Sequence, residues 1–270
     1  MSLDLPGLLA EASALLDSVT DRFVAGLGAP SAVQKGPADF ATAVDLELER
    51  RLTAELVART GIAVHGEEFG GPDVDVGAVW VLDPVDGTAN YSAGLPLAGT
   101  LLALVQDGVP VLGLTWLPLL GERYTALAGG PLVRNGVVLP QLGRSDLRSV
   151  TTCIGSLTRS GGGRYPGEYR LRTLGELTDA CQRVRLIGAT GIDLAWTAAG
   201  VLGGSVTFGH HAWDNAAGVC LVRAAGGVVT DLAGDPWRIS SPSVLAAAPG
   251  VHAELLDLVL GLGDPLAVPA

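Results

Sequence analysis

The chain has 270 residues, with 17 lysine and arginine residues against 28 aspartate and glutamate residues and a net charge of −11. This length suits one large α/β unit or two modest domains. Hydrophobic residues make up 48% of the chain, which excludes a disordered or collagen-like protein. Lys35 is the only lysine and no basic cluster is present, so a nucleic-acid partner is not expected.

Two features of the sequence bear on cellular location. The three cysteines, Cys153, Cys181 and Cys220, are far apart and odd in number, which is typical of a reducing compartment. The N-terminus lacks the basic start of a signal peptide. The apolar runs are short and are interrupted by proline, as at Pro110 and Pro118. We therefore expect a cytoplasmic protein without membrane insertion.

The first half of the chain is predicted to contain two helices followed by a largely antiparallel sheet. Apolar residues at helical spacing predict a helix over 3–26, and turn residues at 35–45 lead to a second helix over 44–59. Apolar or alternating runs predict strands over 62–68, 78–83, 97–106 and 109–117. Asp107-Gly108 is typical of a two-residue hairpin turn between the last two strands.

The second half alternates strands and helices, as in an α/β unit. The predicted strands cover 149–155, 184–188, 204–208 and 227–231. The predicted helices cover 170–182, 190–200, 213–225 and 250–261. The Gly-rich stretch 160–167 is expected to be an exposed loop. A soft boundary at 137–147 separates an N-terminal half, 1–140, from a C-terminal half, 141–270, within one integrated unit.

Acidic side chains gather where the predicted strands and helices begin or end. These residues are Asp39, Asp45, Glu67, Glu68, Asp83, Asp86 and Asp214. α/β folds place their functional sites at such ends. Several oxygen ligands without histidine or cysteine partners suit Mg²⁺ better than zinc.

The stretch DPVD carries the most specific local information. Pro84 lacks an N–H and has a fixed φ, so the predicted strand is expected to stop or turn there. The turn can bring Asp83 and Asp86 to the same cation, with the Val85 carbonyl pointing inward between them. A buried pair of carboxylates needs a positive partner, and a divalent metal ion would provide it.

The next two residues, Gly87 and Thr88, favour an anion site. Their backbone N–H groups would be available to a phosphate, as at a helix N-terminus. Metal-binding carboxylates beside such a site predict phosphoryl-transfer chemistry.

The motifs GEE at 66–68, DPVDGTANY at 83–91 and WDNAAG at 213–218 strongly resemble those of the inositol monophosphatase family, in the family's order and spacing. The stretches 35–45 and 226–237 resemble the family's upstream motif and late hairpin. The combination of DPxDGT with a distal WDxAAG is highly specific. The resemblance covers nearly the whole chain and is strongest to actinobacterial members.

The resemblance implies an α/β fold of the inositol monophosphatase and fructose-1,6-bisphosphatase type, an α-β-α-β-α sandwich. It also implies hydrolysis of phosphate monoesters with two or three Mg²⁺ ions, inhibition by lithium, and a homodimer. The implied metal ligands are Glu67, Asp83, the Val85 carbonyl, Asp86 and Asp214. The implied catalytic residues are Asp45, Thr88 and Glu67, of which Asp45 and Thr88 activate the attacking water. The implied phosphate-binding residues are Gly87 and Thr88.

Several of the acids also have ordinary structural interpretations. Asp45 and Asp214 fit the first turns of helices, where the helix dipole favours a negative charge. Asp39 fits a turn. Glu68 fits a solvated position or a supporting role beside the metal ligands equally well. Lys35 is either solvated or neutralises the acidic cluster.

The alcohol that is released is less well defined by the motifs. Seven positions before Asp214, inositol-selective members of the family carry a glutamate that binds substrate hydroxyls, and here the residue is Thr207. Ala89 follows DGT where the family usually has a polar residue. The residues expected to line the substrate pocket are Ala189, Thr190, Thr207 and His211.

The expected substrate is myo-inositol 1-phosphate. The alternatives with the same chemistry are histidinol phosphate, fructose 1,6-bisphosphate or another small sugar or polyol phosphate. A 3′-phosphoadenosine nucleotide is disfavoured, because no basic or aromatic platform for adenine is evident. A different class, a non-catalytic metal-binding regulatory module on the same fold, is disfavoured because the acids and Thr88 are intact.

Overall fold

The structure is a computed structural model that describes residues 3–36, 39–157 and 164–265. The helices are α1 Leu5–Asp17, α2 Thr20–Ala25, α3 Ala43–Thr60, α4 Thr88–Ser92, α5 Gly167–Ala180, α6 Thr190–Ala198, α7 Ala212–Ala224 and α8 Val251–Gly261. The strands are β1 Ser31–Gly36, β2 Asp39–Thr42, β3 Val64–Gly66, β4 Ala78–Asp86, β5 Gly99–Gln106, β6 Val109–Leu117, β7 Glu122–Leu127, β8 Val133–Arg134, β9 Val137–Val138, β10 Thr151–Ile154, β11 Arg183–Arg185, β12 Gly204–Thr207, β13 Val228–Thr230 and β14 Val244–Ala247.

Two large sheets and three layers of helices alternate through the molecule, and β1 and β2 form a separate two-stranded sheet. The larger sheet has the strand order β3-β4-β5-β6-β7-β8-β9, and only β3 and β4 in it are parallel. The smaller sheet has the order β11-β10-β12-β14-β13. Helices α1 to α3 cover the larger sheet, α6 and α7 lie between the sheets, and α5 and α8 cover the smaller sheet. The predicted α-β-α-β-α sandwich is confirmed.

Strand β4 shows why the central strands of the larger sheet appear in the sequence as continuous apolar runs. Trp80 and Leu82 pack into the cluster formed with the first helix layer, whereas Val81 packs against the helices between the sheets. Successive side chains of a strand point to opposite faces, and helices cover both faces here. The strand must therefore be apolar at nearly every position until it reaches the acids.

The prediction of one helix over 3–26 is wrong, because the chain leaves the helical path after Asp17 and begins again at Thr20. The carbonyl of Ser18, freed by this break, accepts a hydrogen bond of 3.1 Å from the Arg51 guanidinium of α3. A hydrogen bond from a distant helix thus satisfies the carbonyl group that the interruption leaves unpaired. The spacing of apolar residues in the local sequence does not reveal this contact.

The stretch 35–45, where turn residues were predicted, also contains parts of two strands that the sequence analysis did not identify, and residues 37–38 between them lie outside the described residues. Strands β1 and β2 form an antiparallel hairpin there, which pairs Gln34 with Phe40 and Gly36 with Asp39. All of β1 except its last residue is exposed, so no alternation of apolar and polar residues marks it as a strand.

Two other expectations change in the second half. The short buried strand β14 was not predicted, although it pairs with both β12 and β13. Residues 160–163 of the predicted loop lie outside the described residues, and Tyr165 near its end is buried.

The hairpin turn at Asp107-Gly108 is confirmed, with φ values of 49° and 76°. Within the described ranges, no helix has the length and apolar character needed to cross a membrane.

Candidate active site

Three carboxylates meet where β4 ends and α7 begins. Asp83 and Asp86 are buried near the end of β4, and Asp214 lies half-buried in the first turn of α7. One carboxylate oxygen from each residue lies within 4.8 Å of an oxygen from the other two. Neither Asp83 nor Asp214 forms an ion pair with another described residue. The cluster therefore carries acidic groups without a protein cation to balance each one.

Of the two outcomes expected at Pro84, a stop or a turn, the stop is wrong, because β4 continues to Asp86. The pairing of β4 with β5 is irregular between Asp83 and Asp86, and proline is tolerated at such a bulge. Thr100 Oγ1 of β5 donates to the Pro84 carbonyl over 2.9 Å, and the Val85 N–H donates to Asp83 Oδ1 over 3.0 Å. The bulge thus brings both acids to one end of the sheet without ending the strand.

Burial and mutual repulsion perturb the titration of these acids. Burial raises the pKa of Asp83 and of Asp214 well above the usual range, and each neighbouring carboxylate raises it further. Burial also raises the pKa of Asp86 to about 7, although two backbone hydrogen bonds favour its charged form. Buried carboxylates in such proximity are stabilised when a cation binds between them.

The N-terminus of α6 fixes the orientation of Asp86. The N–H groups of Thr190 and Gly191 donate to its two carboxylate oxygens over 3.0 and 2.8 Å. A Cβ atom on Gly191 would lie 2.1 Å from Leu101 Cδ2 and 2.9 Å from Asp86 Oδ2. Only glycine allows this helix to approach the acid so closely.

Asp45 and Thr88 lie side by side as the resemblance implied. Thr88 Oγ1 lies 3.2 Å from Asp45 Oδ1 and 2.9 Å from the Val85 carbonyl oxygen, and either oxygen can accept a hydrogen bond from the hydroxyl. The Thr42 hydroxyl and N–H also donate to Asp45, which forms a capping box at the start of α3. Asp45 therefore fits both its structural and its functional interpretation. Burial raises the pKa of Asp45.

A tight turn connects β4 to α4. Gly87 has a φ of 81°, and a Cβ atom there would lie 2.8 Å from the Leu97 carbonyl oxygen. Glycine adopts this left-handed conformation without strain. Helix α4 then begins at Thr88, so the N–H groups of this turn lie at a helix start beside the acids.

Lys35, whose side chain is 22% exposed, supplies a positive charge to the acidic side of the cavity. Its Nζ atom lies 2.7 Å from Glu67 Oε1 and 2.7 Å from Glu68 Oε1. Burial lowers the pKa of Lys35, but hydrogen bonds to the two glutamates outweigh this effect, so the pKa is raised overall. Burial raises the pKa of Glu68 to about 7. The structure thus places Lys35 against the acids instead of in solvent.

Glu49 is a buried acid that the sequence analysis did not identify. It accepts hydrogen bonds of 2.8 and 2.9 Å from the N–H groups of Glu68 and Phe69, and it is 1% exposed. A Cβ atom on Gly66 would lie 2.0 Å from Glu49 Oε1. Its position in the apolar stripe of α3, one residue after Leu48, is a signal that could have revealed it.

Asp86 and Asp214, with Glu67, Thr88 and Lys35, line an open cavity of about 370 Å³. The expected pocket residues Ala189, Thr190 and His211 line this cavity, and so do Asp39 and Ala89. Thr207 lines a neighbouring cavity instead. The pocket expected from the sequence is therefore divided between two adjoining spaces.

Asp193 of α6 is a further acid in the cavity wall that the sequence analysis did not single out. It is 1% exposed, and its Oδ1 atom has no hydrogen-bond partner among the described residues. Burial and the charge of Asp86 raise its pKa well above the usual range. An aspartate in the first turn of a helix has so many ordinary explanations that its sequence position alone is not informative.

Residues 7–260 match the family model described as the inositol monophosphatase family. The chain is 56% identical to the probable inositol 1-monophosphatase ImpA of Mycobacterium tuberculosis over 96% of each chain. It is also 56% identical to the inositol-1-monophosphatase ImpA of Mycolicibacterium smegmatis over 97% of this chain and 95% of the relative. The expected similarity to actinobacterial ImpA-type proteins is confirmed.

The fold is similar to that of the Thermotoga maritima IMPase, with a TM-score of 0.85 and 26% identity over 94% of this chain and 97% of that one. The sequence match and the fold agree with the arrangement of acids described above. The chain belongs to the inositol monophosphatase family, whose members are metal-dependent phosphoric monoester hydrolases.

Proposed function

We propose that this enzyme hydrolyses myo-inositol 1-phosphate to myo-inositol and phosphate in a Mg²⁺-dependent reaction. The observation that carries the proposal is the convergence of three acids, Asp83, Asp86 and Asp214, to within 4.8 Å beside the Asp45–Thr88 pair. The names of the two relatives at 56% identity support inositol 1-phosphate as the substrate.

The donor set fits Mg²⁺. The groups that would hold two or three ions are the carboxylates of Glu67, Asp83, Asp86 and Asp214 and the carbonyl oxygen of Val85. All are oxygen donors, which Mg²⁺ prefers to thiolate or imidazole. Bound Mg²⁺ supplies charge neutralisation and lowers the pKa of a coordinated water.

The chain's own residues orient the reactants. The Thr88 hydroxyl lines the cavity and positions the attacking water, and the buried Asp45 carboxylate, 3.2 Å from that hydroxyl, takes the water's proton through it. The N–H groups of Gly87 and Thr88 hold the phosphate oxygens. The water oxygen bonds to phosphorus, the phosphorus–ester oxygen bond breaks, and the released alkoxide takes a proton from solvent in the open cavity.

The carboxylates that would bind the metal ions must also be held in fixed positions. Thr190 and Gly191 hold Asp86 by two backbone hydrogen bonds, and Glu49 holds the backbone of the segment that carries Glu67 and Glu68. Preorganised groups of this kind contribute most of the rate enhancement in phosphoryl transfer. Lys35 reduces the repulsion among the acids before a cation binds.

A panel of phosphate esters tests the substrate assignment. Phosphate release would be measured from inositol 1-phosphate, histidinol phosphate and fructose 1,6-bisphosphate, each with Mg²⁺ and with chelator. We expect kcat/KM for inositol 1-phosphate to exceed the others by about tenfold, a transition-state preference of about 1.4 kcal/mol. If another ester gave the highest kcat/KM, that ester would replace inositol 1-phosphate as the proposed substrate, and the proposed hydrolysis chemistry would stand. Absence of turnover with every ester would favour a non-catalytic regulatory module.

Four other properties complete the proposal. The enzyme is inhibited by lithium, is a homodimer, and acts in the cytoplasm, where its three buried and unpaired cysteines would remain reduced. Its halves, 1–140 and 141–270, form one catalytic unit, because Asp86 and Asp214 come from different halves and share a cluster. Activity with added LiCl and the mass measured by light scattering would check the first two properties.

A further inference from the structure

Helix α4 carries the hydroxyl that would position the attacking water, and this helix is very short. It contains the five residues Thr88–Ser92, and Thr88 is the first of them. Because an isolated helix of this length is unstable in water, contacts with the rest of the protein must hold it in place. The position of the Thr88 hydroxyl beside Asp45 therefore depends on what anchors α4.

Two successive side chains anchor α4 to different parts of the fold. Tyr91 is fully buried, its hydroxyl donates to the carbonyl of Phe23 in α2, and the two rings lie 5.0 Å apart. Asn90 instead contacts the segments that lead into β5 and α6, at the carbonyls of Leu97 and Ile187. Tyr91 thus joins α4 to the first helix layer, whereas Asn90 joins it to the rest of the active site.

The Asn90 amide bridges two backbone carbonyls from distant parts of the chain. Its Nδ2 atom donates to the Leu97 oxygen over 3.0 Å and to the Ile187 oxygen over 2.8 Å. An amide nitrogen carries two hydrogens, and both are used here. Since an amide oxygen in the same place would face two acceptors, the two carbonyls also fix which way the amide points.

The Ile187 carbonyl lies just before the helix start that holds Asp86. Two residues separate Ile187 from Thr190, and the N–H groups of Thr190 and Gly191 donate to the two carboxylate oxygens of Asp86. Peptide units are planar and rigid, so a connection this short transmits a displacement of the carbonyl to those N–H groups. A shift of the Ile187 carbonyl would therefore move the groups that orient Asp86.

The Leu97 carbonyl lies against the tight turn between β4 and α4. A Cβ atom on Gly87 in this turn would lie 2.8 Å from the Leu97 oxygen and 3.0 Å from Ala189 Cβ. The turn is thus enclosed between the segment that leads into β5 and the segment that leads into α6. By bonding to both segments, the Asn90 amide fixes the two walls of the turn.

We infer that Asn90 is a positioning residue, whose amide holds the turn at Gly87 and the N-terminus of α6 at a fixed separation. Thr88 and Asp86 are thereby kept in place on the same side of the cavity. The inference rests on the proposed phosphatase function and adds a residue to it. Asn90 does not line the catalytic cavity, so it acts through the groups that it holds and not by touching the substrate.

Hydrogen exchange in the presence of chelator tests the positioning without any turnover. The N–H groups of Thr190 and Gly191 would be followed in the parent protein and in Asn90→Ala. We expect both to exchange about tenfold faster in the variant, because loss of the carbonyl contact loosens the start of α6. The amides of the central strands β5 and β6 should keep their exchange rates.

Activity measures the consequence for the site. In Asn90→Ala, the Mg²⁺ concentration for half-maximal activity should rise and kcat for inositol 1-phosphate should fall, each by about tenfold or more. The matched control is Asn135→Ala, which also removes an amide that donates to a backbone carbonyl, over 2.8 Å, at a position that does not line the catalytic cavity. That variant should keep both values. If Asn90→Ala does not fold, Asn90→Ser, which retains one hydroxyl donor, replaces it in both measurements.

The outcomes separate this inference from the proposed function. Unchanged exchange of Thr190 and Gly191 in a folded Asn90 variant would overturn the positioning role, and so would an unchanged Mg²⁺ requirement. Faster exchange throughout β5 and β6 would also overturn it, because that result shows a loss of overall stability. A parent protein without phosphatase activity would instead contradict the proposed function, and hydrogen exchange would still decide the role of Asn90.

Discussion

The acidic side of the active cavity and its leaving-group side are built differently. On the acidic side, Asp86 accepts two backbone hydrogen bonds and Asp45 completes a helix capping box. The leaving-group side is the neighbouring cavity lined by Arg164, His210 and Thr207, where the first two residues are exposed and the buried Thr207 hydroxyl has no partner among the described residues. Under the proposed function, the acids that perform the chemistry are thus held by backbone contacts, whereas recognition of the alcohol would depend on side chains with fewer constraints.

This difference follows from what each side must do. Charges that stabilise a transition state lose their effect when they move, so they are held by elements of the fold. Contacts to a leaving alcohol set specificity and can differ among enzymes with the same chemistry. Variants on the two sides should accordingly have effects of different size and kind.

The largest effect is expected from Asp86→Asn. The substitution keeps the shape of the side chain but removes a charge from the cluster, so kcat/KM should fall about a thousandfold or more. Phosphate release from inositol 1-phosphate measures this loss, and circular dichroism checks that the variant is folded. Glu176→Gln, an exposed charge of α5, is the matched control and should retain full activity. Activity within tenfold of the parent in Asp86→Asn would contradict the proposed role of this acid.

The next effect tests the fixed backbone on the acidic side. In Gly191→Ala the new Cβ would contact Leu101 and Asp86, so we expect a loss of about 1–3 kcal/mol in unfolding free energy and weaker Mg²⁺ activation. Gly175→Ala is the control, because Gly175 is exposed on the surface of α5 and a Cβ atom there would meet no neighbouring residue within 4 Å. That variant should be more stable by about 0.5–1 kcal/mol, as alanine favours helix. Urea unfolding measures both, and a Gly191→Ala variant as stable as the parent would refute the tight approach of α6.

A smaller effect on the unfolding free energy is expected when the pH is changed and Mg²⁺ is removed. The pKa of Asp86 is raised from 3.8 to about 7 in the folded protein, so the folded state binds more protons than the unfolded state between these values. Stability from this group is therefore full below its unfolded pKa and is lost as pH rises through about 7. In chelator, the unfolding free energy should fall as the pH rises from 6.5 to 8.5, and Mg²⁺ should remove this fall.

The range from pH 6.5 to 8.5 limits the contribution of two histidines whose titration changes the unfolding free energy in the opposite direction. Burial lowers the pKa of His252 and of His211 below 6.5, so their contribution to stability is lost only as pH falls below that value. Thermal unfolding with Mg²⁺ and with chelator would measure the difference. Identical pH dependence in both conditions would show that the acids are not linked to a bound cation.

The smallest effect is expected on the leaving-group side, from Thr207→Val. Because the hydroxyl is buried without a partner, its replacement by a methyl group of similar shape should change the unfolding free energy by less than about 1 kcal/mol. Specificity among the phosphate esters should change less than about tenfold. A large loss of activity on inositol 1-phosphate alone would instead identify this hydroxyl as a substrate contact.

The sequence was most informative where short motifs coincide with the ends of elements. DPVDGT and WDNAAG identified the family, and the structure brings Asp83, Asp86 and Asp214 together. The layered fold followed from the resemblance, and helix α3 lies within one residue of the predicted bounds at each end. Local patterns alone would have ended β4 at Pro84, because the tolerance of proline depends on a bulge against β5.

What the sequence missed depends on contacts between distant segments. Glu49 supports Glu68 across 19 positions, and the ring of His65 in β3 stacks on that of Trp213 in α7. The break between α1 and α2 is stabilised by Arg51 of α3. No pattern in the local sequence pairs these distant segments with each other, so only the fold reveals the contacts between them.

The central claim is that the three clustered carboxylates of Asp83, Asp86 and Asp214 bind a divalent cation used in phosphate hydrolysis. Calorimetric titration of Mg²⁺ into the parent protein and into Asp214→Asn, near pH 7.5 with inorganic phosphate present, tests it most directly. We predict saturable binding to the parent and loss of at least one binding event in the folded variant. Equal binding to both proteins, or no binding to the parent, would contradict the account.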